Sequence, residues 1–253
     1  MITKEQVASL AKKKKTNETT VFREYLQVLF LSKLYSQTKS NKVFFKGGTA
    51  LHLLFGASRF SEDLDFTVEL KQKEFSALAK KVFTQLQKEG LLEFKEKKSL
   101  AGKRFLLTAL PDILPYKTFV NLDFSFREKV FTPQKSILET DYPILFTSYV
   151  HHLSQDEIFA EKIRALLTRS KGRDLYDLWF LLSQGAELDK KLVKEKLKYY
   201  GLQYIKKQEI LSKIEDFSKK DFILDVRPFV TMDERNKLGK FFDYIKDYLK
   251  TKL

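Results

Sequence analysis

The sequence predicts an α+β fold, with a mixed sheet and flanking helices in its N-terminal part and an all-helical C-terminal domain. Up to about residue 150, short apolar segments with the spacing of strands alternate with amphipathic segments. From Asp156 onward nearly every stretch has helical period, with lysines on the polar faces, and no segment predicts a strand. We therefore place a boundary near Tyr149, which gives the predicted domains 1–149 and 150–253.

Within the N-terminal domain, apolar spacing predicts three helices and five strands. Glycines end two of the helices, at Gly56 and Gly90. The strand around Asp123 shows good alternation of apolar and polar residues. The predicted helices are 21–36, 49–56 and 73–89. The predicted strands are 43–45, 64–70, 91–97, 104–110 and 118–126.

Composition excludes several classes of protein. Of the 253 residues, 43% are hydrophobic and 14% aromatic, which indicates a folded globular chain. The longest apolar runs are far too short to cross a membrane, and the N-terminal segment lacks the features of a secretory signal. The chain has no cysteine, which excludes disulfides, thiolate zinc sites and cysteine nucleophiles. We expect a cytoplasmic protein without a membrane partner.

The chain is strongly basic. It has 47 Lys and Arg against 33 Asp and Glu, a net charge of +14. Such an excess attracts polyanions and accelerates their encounter. The alternative is that the lysines merely solvate helix faces, and composition leaves both explanations open. An acidic metal site within a basic protein would favour nucleic acid or nucleotide.

Segment 46–66, KGGTALHLLFGASRFSEDLDF, carries the clearest chemical signal. Asp63 and Asp65 are one residue apart, so in a strand their side chains point to the same face. Two adjacent carboxylates repel each other unless a cation neutralises them, and oxygen ligands favour Mg²⁺ or Mn²⁺. Gly47 and Gly48 open a predicted helix whose N–H groups could approach a phosphate. This combination predicts a site for a metal and a nucleotide.

Asp123 is a third acidic candidate, in the predicted strand VNLDFSF. It could be an aspartate of an edge strand that faces water. If the strands are neighbours, however, Asp63, Asp65 and Asp123 share one face. Three carboxylates could then hold two divalent cations ~4 Å apart, the arrangement used in phosphoryl and nucleotidyl transfer.

Three further polar residues near these aspartates have two interpretations each. The Thr49 hydroxyl could reach a phosphate oxygen or simply cap a helix. Ser61 could donate to a phosphate or cap the turn before Asp63. Arg59 could pair with a phosphate or with a carboxylate of the site.

A second cluster of charged residues lies in segment 156–182. Lys162 falls on the flank of an apolar helical stripe, which is typical of a lysine whose stem lies on the core edge while its ammonium reaches water. Arg173 and Asp177 are four residues apart and could form an intrahelical salt bridge. Asp174 lies near the start of the same predicted helix, where a negative charge is favourable.

These motifs together resemble the nucleotidyltransferases of the AbiEii/AbiGii toxin family, the toxin halves of bacterial toxin–antitoxin and abortive-infection systems. The resemblance rests on KGGTALHLLFG, RFSEDLDF, DEIFAEKIRALLTR and GRDLYDLWFLL, and it extends over about 21–183. It implies a polymerase β-like nucleotidyltransferase fold with a helical C-terminal domain. It also implies Mg²⁺-dependent transfer of a nucleoside monophosphate from NTP to an acceptor, which in some members is the 3′ end of tRNA, so that translation is blocked. A cognate antitoxin is an expected partner.

The resemblance also implies roles for individual residues. Gly47 and Gly48 would hold phosphates, and Asp63 and Asp65 would bind the metal. Asp123 would be the third carboxylate and a base for the acceptor hydroxyl. Lys162 would contact the triphosphate, and Asp174 or Asp177 would complete the site.

Two positions depart from the family pattern. His52 stands where basic residues, often Arg, are usual, and a neutral histidine would weaken a phosphate contact. Gly48 stands where the wider superfamily often has Ser, so part of the phosphate contact would shift to Thr49. Neither departure removes a metal ligand, and activity is expected.

Two other functions remain open. One is nucleotidyl transfer to a small molecule or a protein, although a basic surface would repel a small cationic acceptor. The other is a non-catalytic module that binds nucleic acid through its lysine-rich helices.

Overall fold

The computed structural model describes residues 1–99, 101–202 and 206–253. These residues form two compact units. The first, the sheet unit, comprises Met1–Gly56 and Phe60–Leu153, and the second, the helical unit, comprises Ala57–Arg59 and Ser154–Leu253. No helix in the described parts of the chain combines the length and the apolar character needed to cross a membrane.

The sheet unit contains four α-helices and seven strands among its described residues. The helices are α1 (Lys4–Lys13), α2 (Glu18–Tyr35), α3 (Gly47–Phe55) and α4 (Gln72–Gln87). The strands are β1 (Val43–Lys46), β2 (Leu64–Val68), β3 (Leu92–Lys97), β4 (Gly102–Ala109), β5 (Thr118–Ser125), β6 (Pro133–Ser136) and β7 (Val150–Leu153).

The described strands form one mixed sheet in the order β3-β4-β5-β2-β1-β7-β6. Strand β2 pairs in parallel with β5, and β1 pairs in parallel with β7. The other neighbouring strands pair antiparallel. Strands β1, β2 and β5 are therefore adjacent in the interior of the sheet.

Phenylalanine side chains fill the space between one face of the sheet and helices α2 and α4. The rings of Phe66 on β2 and Phe124 on β5 stack with centroids 4.8 Å apart. Phe30 of α2 contacts both rings, and Phe75 of α4 lies 4.5 Å from Phe124. Because side chains alternate along a strand, the residue that precedes each of these two strand phenylalanines points to the opposite face of the sheet.

The helical unit contains six α-helices in its described residues. They are α5 (Gln155–Thr168), α6 (Gly172–Ser183), α7 (Lys190–Lys198), α8 (Lys207–Glu215), α9 (Lys219–Val226) and α10 (Leu238–Lys252). Helix α7 is joined to α5 by Lys196, whose fully buried ammonium lies 2.7 Å from Glu157 and 3.0 Å from Glu161. Pairing compensates the cost of removing these charges from water.

The predicted fold class, a mixed sheet with flanking helices followed by C-terminal helices, is confirmed. Each predicted helix and strand of the N-terminal part lies within three residues of the observed bounds at either end. Asp63 was expected within a strand, but β2 begins at Leu64 and Asp63 directly precedes it. Helix α1 and strands β6 and β7 were not predicted. The domain boundary at Tyr149 stays a prediction.

Candidate functional site

Strands β2 and β5 place two of the predicted site aspartates side by side. Asp65 and Asp123 are direct partners in the parallel pairing of these strands, so their side chains lie on the same face. Asp63 accepts a hydrogen bond of 2.9 Å from Nδ2 of Asn121, two residues before Asp123 on β5. The three carboxylates therefore share the face of the sheet opposite the phenylalanine core. We call this set of residues the aspartate face.

Helix α3 begins directly beside this face. Gly47 is its first residue and has φ +79°, a left-handed conformation that favours glycine. A Cβ atom added at Gly47 would overlap the Asp65 carboxylate. Gly47 is partly exposed and Gly48 is buried. The first N–H groups of a helix have no partner within the helix, so this end of α3 carries donors close to Asp65.

Thr49 and Ser61 hold the chain segments around the aspartates. The buried Thr49 hydroxyl donates a hydrogen bond to the backbone carbonyl of Asp63, which ties α3 to the entry of β2. The backbone carbonyl of Ser61 accepts a hydrogen bond of 3.0 Å from Nε2 of Gln27 on α2. The Thr49 hydroxyl thus acts as a structural donor in this conformation.

Arg104 on β4 supplies a positive charge to the aspartate face. It is the strand partner of Asp123, and its Nε donates to Asp123 Oδ2 at 2.8 Å. The hydrogen bond and charge of Asp123, with smaller contributions from Asp65 and Asp63, raise the pKa of the guanidinium above its ordinary value. Sequence reasoning missed this residue. Its signal was the alternation of RFLLTAL, which puts Arg104 on the polar face of a predicted strand.

Lys46 is a second cation that sequence reasoning missed. It is the partner of Asp65 in the antiparallel pairing of β1 and β2, so it shares the aspartate face. Its ammonium lies 2.8 Å from Glu128, and both residues are buried. The signal was its position directly before the glycine pair.

The chemistry of the aspartate face suits a divalent cation. Its ligands would be carboxylate oxygens, which Mg²⁺ and Mn²⁺ prefer. Among the described residues, however, no group of three or more His, Cys, Asp or Glu side chains is arranged to hold a metal ion. Asp123 is engaged by Arg104 and Asp63 by Asn121. The ligand type therefore fits a divalent ion. In this arrangement, however, the guanidinium of Arg104 is the cation that pairs with the carboxylates.

The other predicted site residues form a buried ionic cluster within the helical unit. Arg59 forms a bidentate pair with Asp177, with both N···O distances 2.6 Å. The Lys162 ammonium lies 2.7 Å from Asp177 and 3.1 Å from Asp174. Arg169 donates to Asp174 through Nε at 2.7 Å. We call these residues the Asp177 cluster.

The Asp177 cluster holds its charged forms despite burial. Burial alone would raise the pKa of Asp177, but the charges of Arg59 and Lys162 outweigh it and lower that pKa. The pKa of Asp174 is likewise lowered against the effect of burial, chiefly by Lys162 and Arg169. Burial would lower the pKa of Lys162, and the two carboxylates raise it instead. The cluster is therefore fully ionised at neutral pH.

Two interpretations based on the residues alone were wrong. The intrahelical salt bridge that the spacing of Arg173 and Asp177 allowed does not form. Arg173 instead contacts Asp225 on α9, at 3.5 Å, while Asp177 is engaged by cations outside its own helix. Lys162 does not reach water from the edge of the core, since it is 8% exposed and its ammonium is paired with carboxylates.

His52 contacts the buried carboxylate of Glu24 in the sheet unit. Its Nε2 lies 2.9 Å from Oε2 of Glu24, which also pairs with Lys14. Burial alone would raise the pKa of Glu24, but His52 and Lys14 lower it. The imidazole thus contacts a carboxylate at the position where the family pattern suggested a phosphate contact.

Comparison with known proteins gives a consistent picture. The model of the family described as nucleotidyl transferase AbiEii toxin, type IV toxin–antitoxin system, matches residues 29–247. JHP933 from Helicobacter pylori is similar in structure, with a TM-score of 0.58 and 21% identity over 93% of this chain and 95% of that chain. The nucleotidyltransferase toxin MenT4 from Mycobacterium tuberculosis H37Rv has a TM-score of 0.58 and 20% identity over 98% of this chain and 90% of that chain. No curated protein sequence matches the chain.

Proposed function

The chain belongs to the nucleotidyl transferase AbiEii toxin family, and on that premise we propose that it transfers a nucleoside monophosphate from NTP to RNA. The proposed acceptor is the 3′ end of tRNA, and the consequence is inhibited translation in the cytoplasm. The observation that carries this proposal is the pairing of Asp65 with Asp123 beside the glycine that starts α3. Family membership also implies a cognate antitoxin, and a role in abortive infection is part of the proposal.

The aspartate face would hold Mg²⁺ or Mn²⁺ through Asp63, Asp65 and Asp123. When bound, the ion lowers the pKa of the acceptor hydroxyl and neutralises charge on the triphosphate. Asp123 is the proposed base, which accepts the hydroxyl proton at a carboxylate oxygen. The acceptor oxygen then forms a bond to the α-phosphorus, and the bond from that phosphorus to pyrophosphate breaks. Donors at Gly47 and Gly48 are proposed to hold the phosphates.

Arg104 has a defined task in this scheme. Arg104 pairs with Asp123 in this structure. This ion pair must separate before the Asp123 carboxylate can ligate an ion or accept a proton. The side chain of Arg104 is 49% exposed, so it has room to move. We expect the triphosphate to take over the guanidinium as an anionic partner, so that nucleotide binding frees Asp123.

The Asp177 cluster supports the proposed role of Lys162 in contacting the triphosphate. Asp174 and Asp177 keep the ammonium charged, and the proposed contact requires it to exchange one of these carboxylates for a phosphate oxygen. Arg59 is already bidentate to Asp177, so we assign it a positioning role rather than a phosphate contact. The Thr49 hydroxyl donates to the backbone carbonyl of Asp63, and we propose that it positions Asp63 as a metal ligand. Ser61 remains a proposed phosphate donor.

The Asp65→Ala variant tests the proposed function. Loss of a carboxylate ligand is expected to reduce transfer on the order of 10²-fold or more and to abolish toxicity, while the fold stays intact. The assay incubates the purified chain with total RNA and each of the four labelled NTPs in turn, followed by a gel. Asp112→Ala, an exposed aspartate in a loop of the same unit, is the matched control.

Three outcomes would count against the proposal. Wild-type toxicity of Asp65→Ala would refute a metal-dependent mechanism. Label found in a small molecule or a protein, but not in RNA, would favour the alternative acceptor class. RNA binding that ignores both Mg²⁺ and NTP, with no transfer, would favour a non-catalytic module. Calorimetric titration of Mg²⁺ separates this last case from an enzyme assayed with the wrong acceptor.

A further inference from the structure

Helices α6 and α10 carry a continuous row of aromatic rings, which we call the aromatic face. It consists of Tyr176 and Trp179 on α6 and of Phe241, Tyr244 and Tyr248 on α10. The ring centroids of Tyr176 and Trp179 are 5.5 Å apart, and those of Trp179 and Phe241 are 4.7 Å apart. Phe241 and Tyr244 follow at 6.2 Å with ring planes 18° apart, and Tyr248 lies 5.9 Å from Tyr244.

The outer part of the aromatic face is open to solvent. Tyr244 is 50% exposed, and Trp179, Phe241 and Tyr248 are partly exposed. The indole N–H of Trp179 is buried and has no hydrogen-bond partner in the described parts of the chain. Core packing of α6 on α10 accounts for the inner rings. Such packing does not explain why exposed rings continue the row, or why the indole N–H of Trp179 has no partner among the described residues.

Lysines flank the same helical surface. Along one side of α10, Phe241, Tyr244, Tyr248 and Lys252 recur at intervals of three or four residues, and Lys237, the N-cap residue, precedes Phe241 by four. Neither of these lysines forms an ion pair with a residue that the structure describes. A row of aromatic rings with a cation at each end is the arrangement that binds unpaired bases and their phosphates.

We propose that the aromatic face binds a single-stranded RNA segment of the acceptor. Bases would stack on Phe241, Tyr244 and Tyr248, and Lys237 and Lys252 would contact phosphates. The three rings span about 10 Å of helix at 1.5 Å per residue, enough for roughly three nucleotides. This inference rests on the proposed function, because it identifies how the RNA acceptor is recognised.

The inner end of the aromatic face joins the Asp177 cluster. The Tyr176 hydroxyl lies 2.7 Å from that of Ser58, and the Arg59 guanidinium lies 5.9 Å from the Tyr176 ring. Arg59 in turn holds Asp177. The row of rings therefore leads towards the cluster to which we assign a role in binding the triphosphate.

Charge favours RNA over a second copy of this chain as the occupant. A homodimer through this surface would bring like-charged lysine rows together in a protein of net charge +14. RNA supplies both the planar bases for the rings and the anions for the lysines.

Trp179 provides a direct readout, because it is the single tryptophan of the chain. The probe is a 5′-fluorescein-labelled single-stranded RNA of 12 nucleotides and mixed sequence, added to the full chain without NTP. Binding is expected to quench Trp179 fluorescence and to raise the anisotropy of the probe. Tyr244→Ala and Tyr248→Ala should each weaken binding by roughly fivefold or more. Tyr244→Phe should retain affinity, because it keeps the ring.

Two further variants sharpen the test. The double change Lys237→Ala and Lys252→Ala should reduce the slope of log affinity against log salt by roughly 1.4, as expected for two lost phosphate contacts. Tyr149→Ala removes a tyrosine of the sheet unit with the same 50% exposure, and it should bind RNA like the wild type. Circular dichroism confirms that each variant is folded.

Three results would overturn the inference. The first is unchanged RNA affinity in folded Tyr244→Ala and Tyr248→Ala proteins. The second is equally tight binding and equal quenching with an RNA duplex, whose bases cannot stack on the rings. The third is a dimer in sedimentation velocity that these variants dissociate without an effect on RNA binding. RNA binding with quenching, but no nucleotide transfer, would support the aromatic face and count against the proposed function alone.

Discussion

Arg104 shows how one side chain can stabilise a set of neighbouring carboxylates. Its guanidinium lies among Asp123, Asp65 and Asp63 and offsets their mutual repulsion. We predict that Arg104→Gln binds Mn²⁺ more tightly than the wild type in the absence of NTP, by roughly two- to fivefold, because the ion no longer competes with an ion pair. Calorimetry measures the affinity.

The neighbouring Lys103 offers a matched control for this prediction. It pairs at 2.7 Å with Glu96 rather than with the aspartates, so Lys103→Gln should leave the Mn²⁺ affinity unchanged. Weaker Mn²⁺ binding in Arg104→Gln would show that the arginine supports the metal site rather than competing with it.

Gly47 and Gly56 require glycine for different reasons, one for a close contact as well as its backbone conformation and the other for its backbone conformation alone. Both have a positive φ, +79° and +78°, but only Gly47 lies against a side chain, the Asp65 carboxylate. We predict that Gly56→Ala costs about 1 kcal/mol of unfolding free energy from backbone strain alone. Gly47→Ala should cost about 2–5 kcal/mol, because overlap with Asp65 adds to the strain.

Urea denaturation measures both costs, and Mn²⁺ titration of the folded variants adds a second readout. Gly47→Ala should also weaken Mn²⁺ binding by displacing Asp65, whereas Gly56→Ala should not. Equal losses of stability in the two variants would mean that the contact with Asp65 is relaxed without cost.

The residues of the aspartate face differ in how well the sequence predicted them. Asp63 and Asp65 are one residue apart in sequence, so strand alternation was enough to place them on the same face. The position of Asp123 beside Asp65 depended on which strands pair. Arg104 and Lys46 were missed because their role arises only from cross-strand partners. The pair that the spacing of Arg173 and Asp177 allowed does not form, because a local spacing rule worth tenths of a kcal/mol is overridden by buried tertiary pairs.

At the scale of elements, the missed segments lacked the signals on which the predictions relied. Strand β6 is PQKS, an exposed edge strand without apolar alternation. Strand β7 is only four residues long and is held by its pairing with β1 and β6, which no local pattern reveals. Helix α1 carries a signal of another kind, a capping box formed by Thr3 and Gln6, which apolar spacing does not register.

The Asp177 cluster, which α5 and α6 share with Arg59, predicts a specific acid sensitivity. The pKa values of Asp174 and Asp177 are lower in the folded chain than the ordinary 3.8. Their contribution to stability is therefore complete above about pH 4 and is lost as the pH falls through the folded-state values. We predict that Asp177→Asn costs about 3–5 kcal/mol at pH 7, because it unbalances a buried ion pair.

Urea denaturation at pH 7, 5, 4 and 3 tests this prediction through the slope of unfolding free energy against pH. Below pH 4 the slope of Asp177→Asn should be shallower than that of the wild type, since one depressed carboxyl has been removed. Asp247→Asn, at an exposed position of α10, should keep the wild-type slope. Identical slopes in all three proteins would mean that other groups govern acid unfolding.

At the scale of the whole molecule, net charge distinguishes the possible acceptors. An excess of 14 positive charges favours a polyanionic acceptor and disfavours a small cation. We predict that transfer to RNA at subsaturating RNA falls steeply with salt. If four phosphates of a single strand are contacted, affinity should drop roughly 50-fold between 50 and 200 mM monovalent salt. The labelled-NTP assay at several salt concentrations measures this decline.

The control is the binding of NTP and Mn²⁺ without RNA, followed by calorimetry over the same salt range. Its salt dependence should be much weaker, because the phosphates are contacted by fixed donors at close range rather than by a diffuse lysine surface. Transfer that stays constant with salt while NTP binding also stays constant would contradict an RNA acceptor. Such a result would favour an uncharged acceptor. Binding of a polyanion or of a small cation to this basic protein would change with the salt concentration.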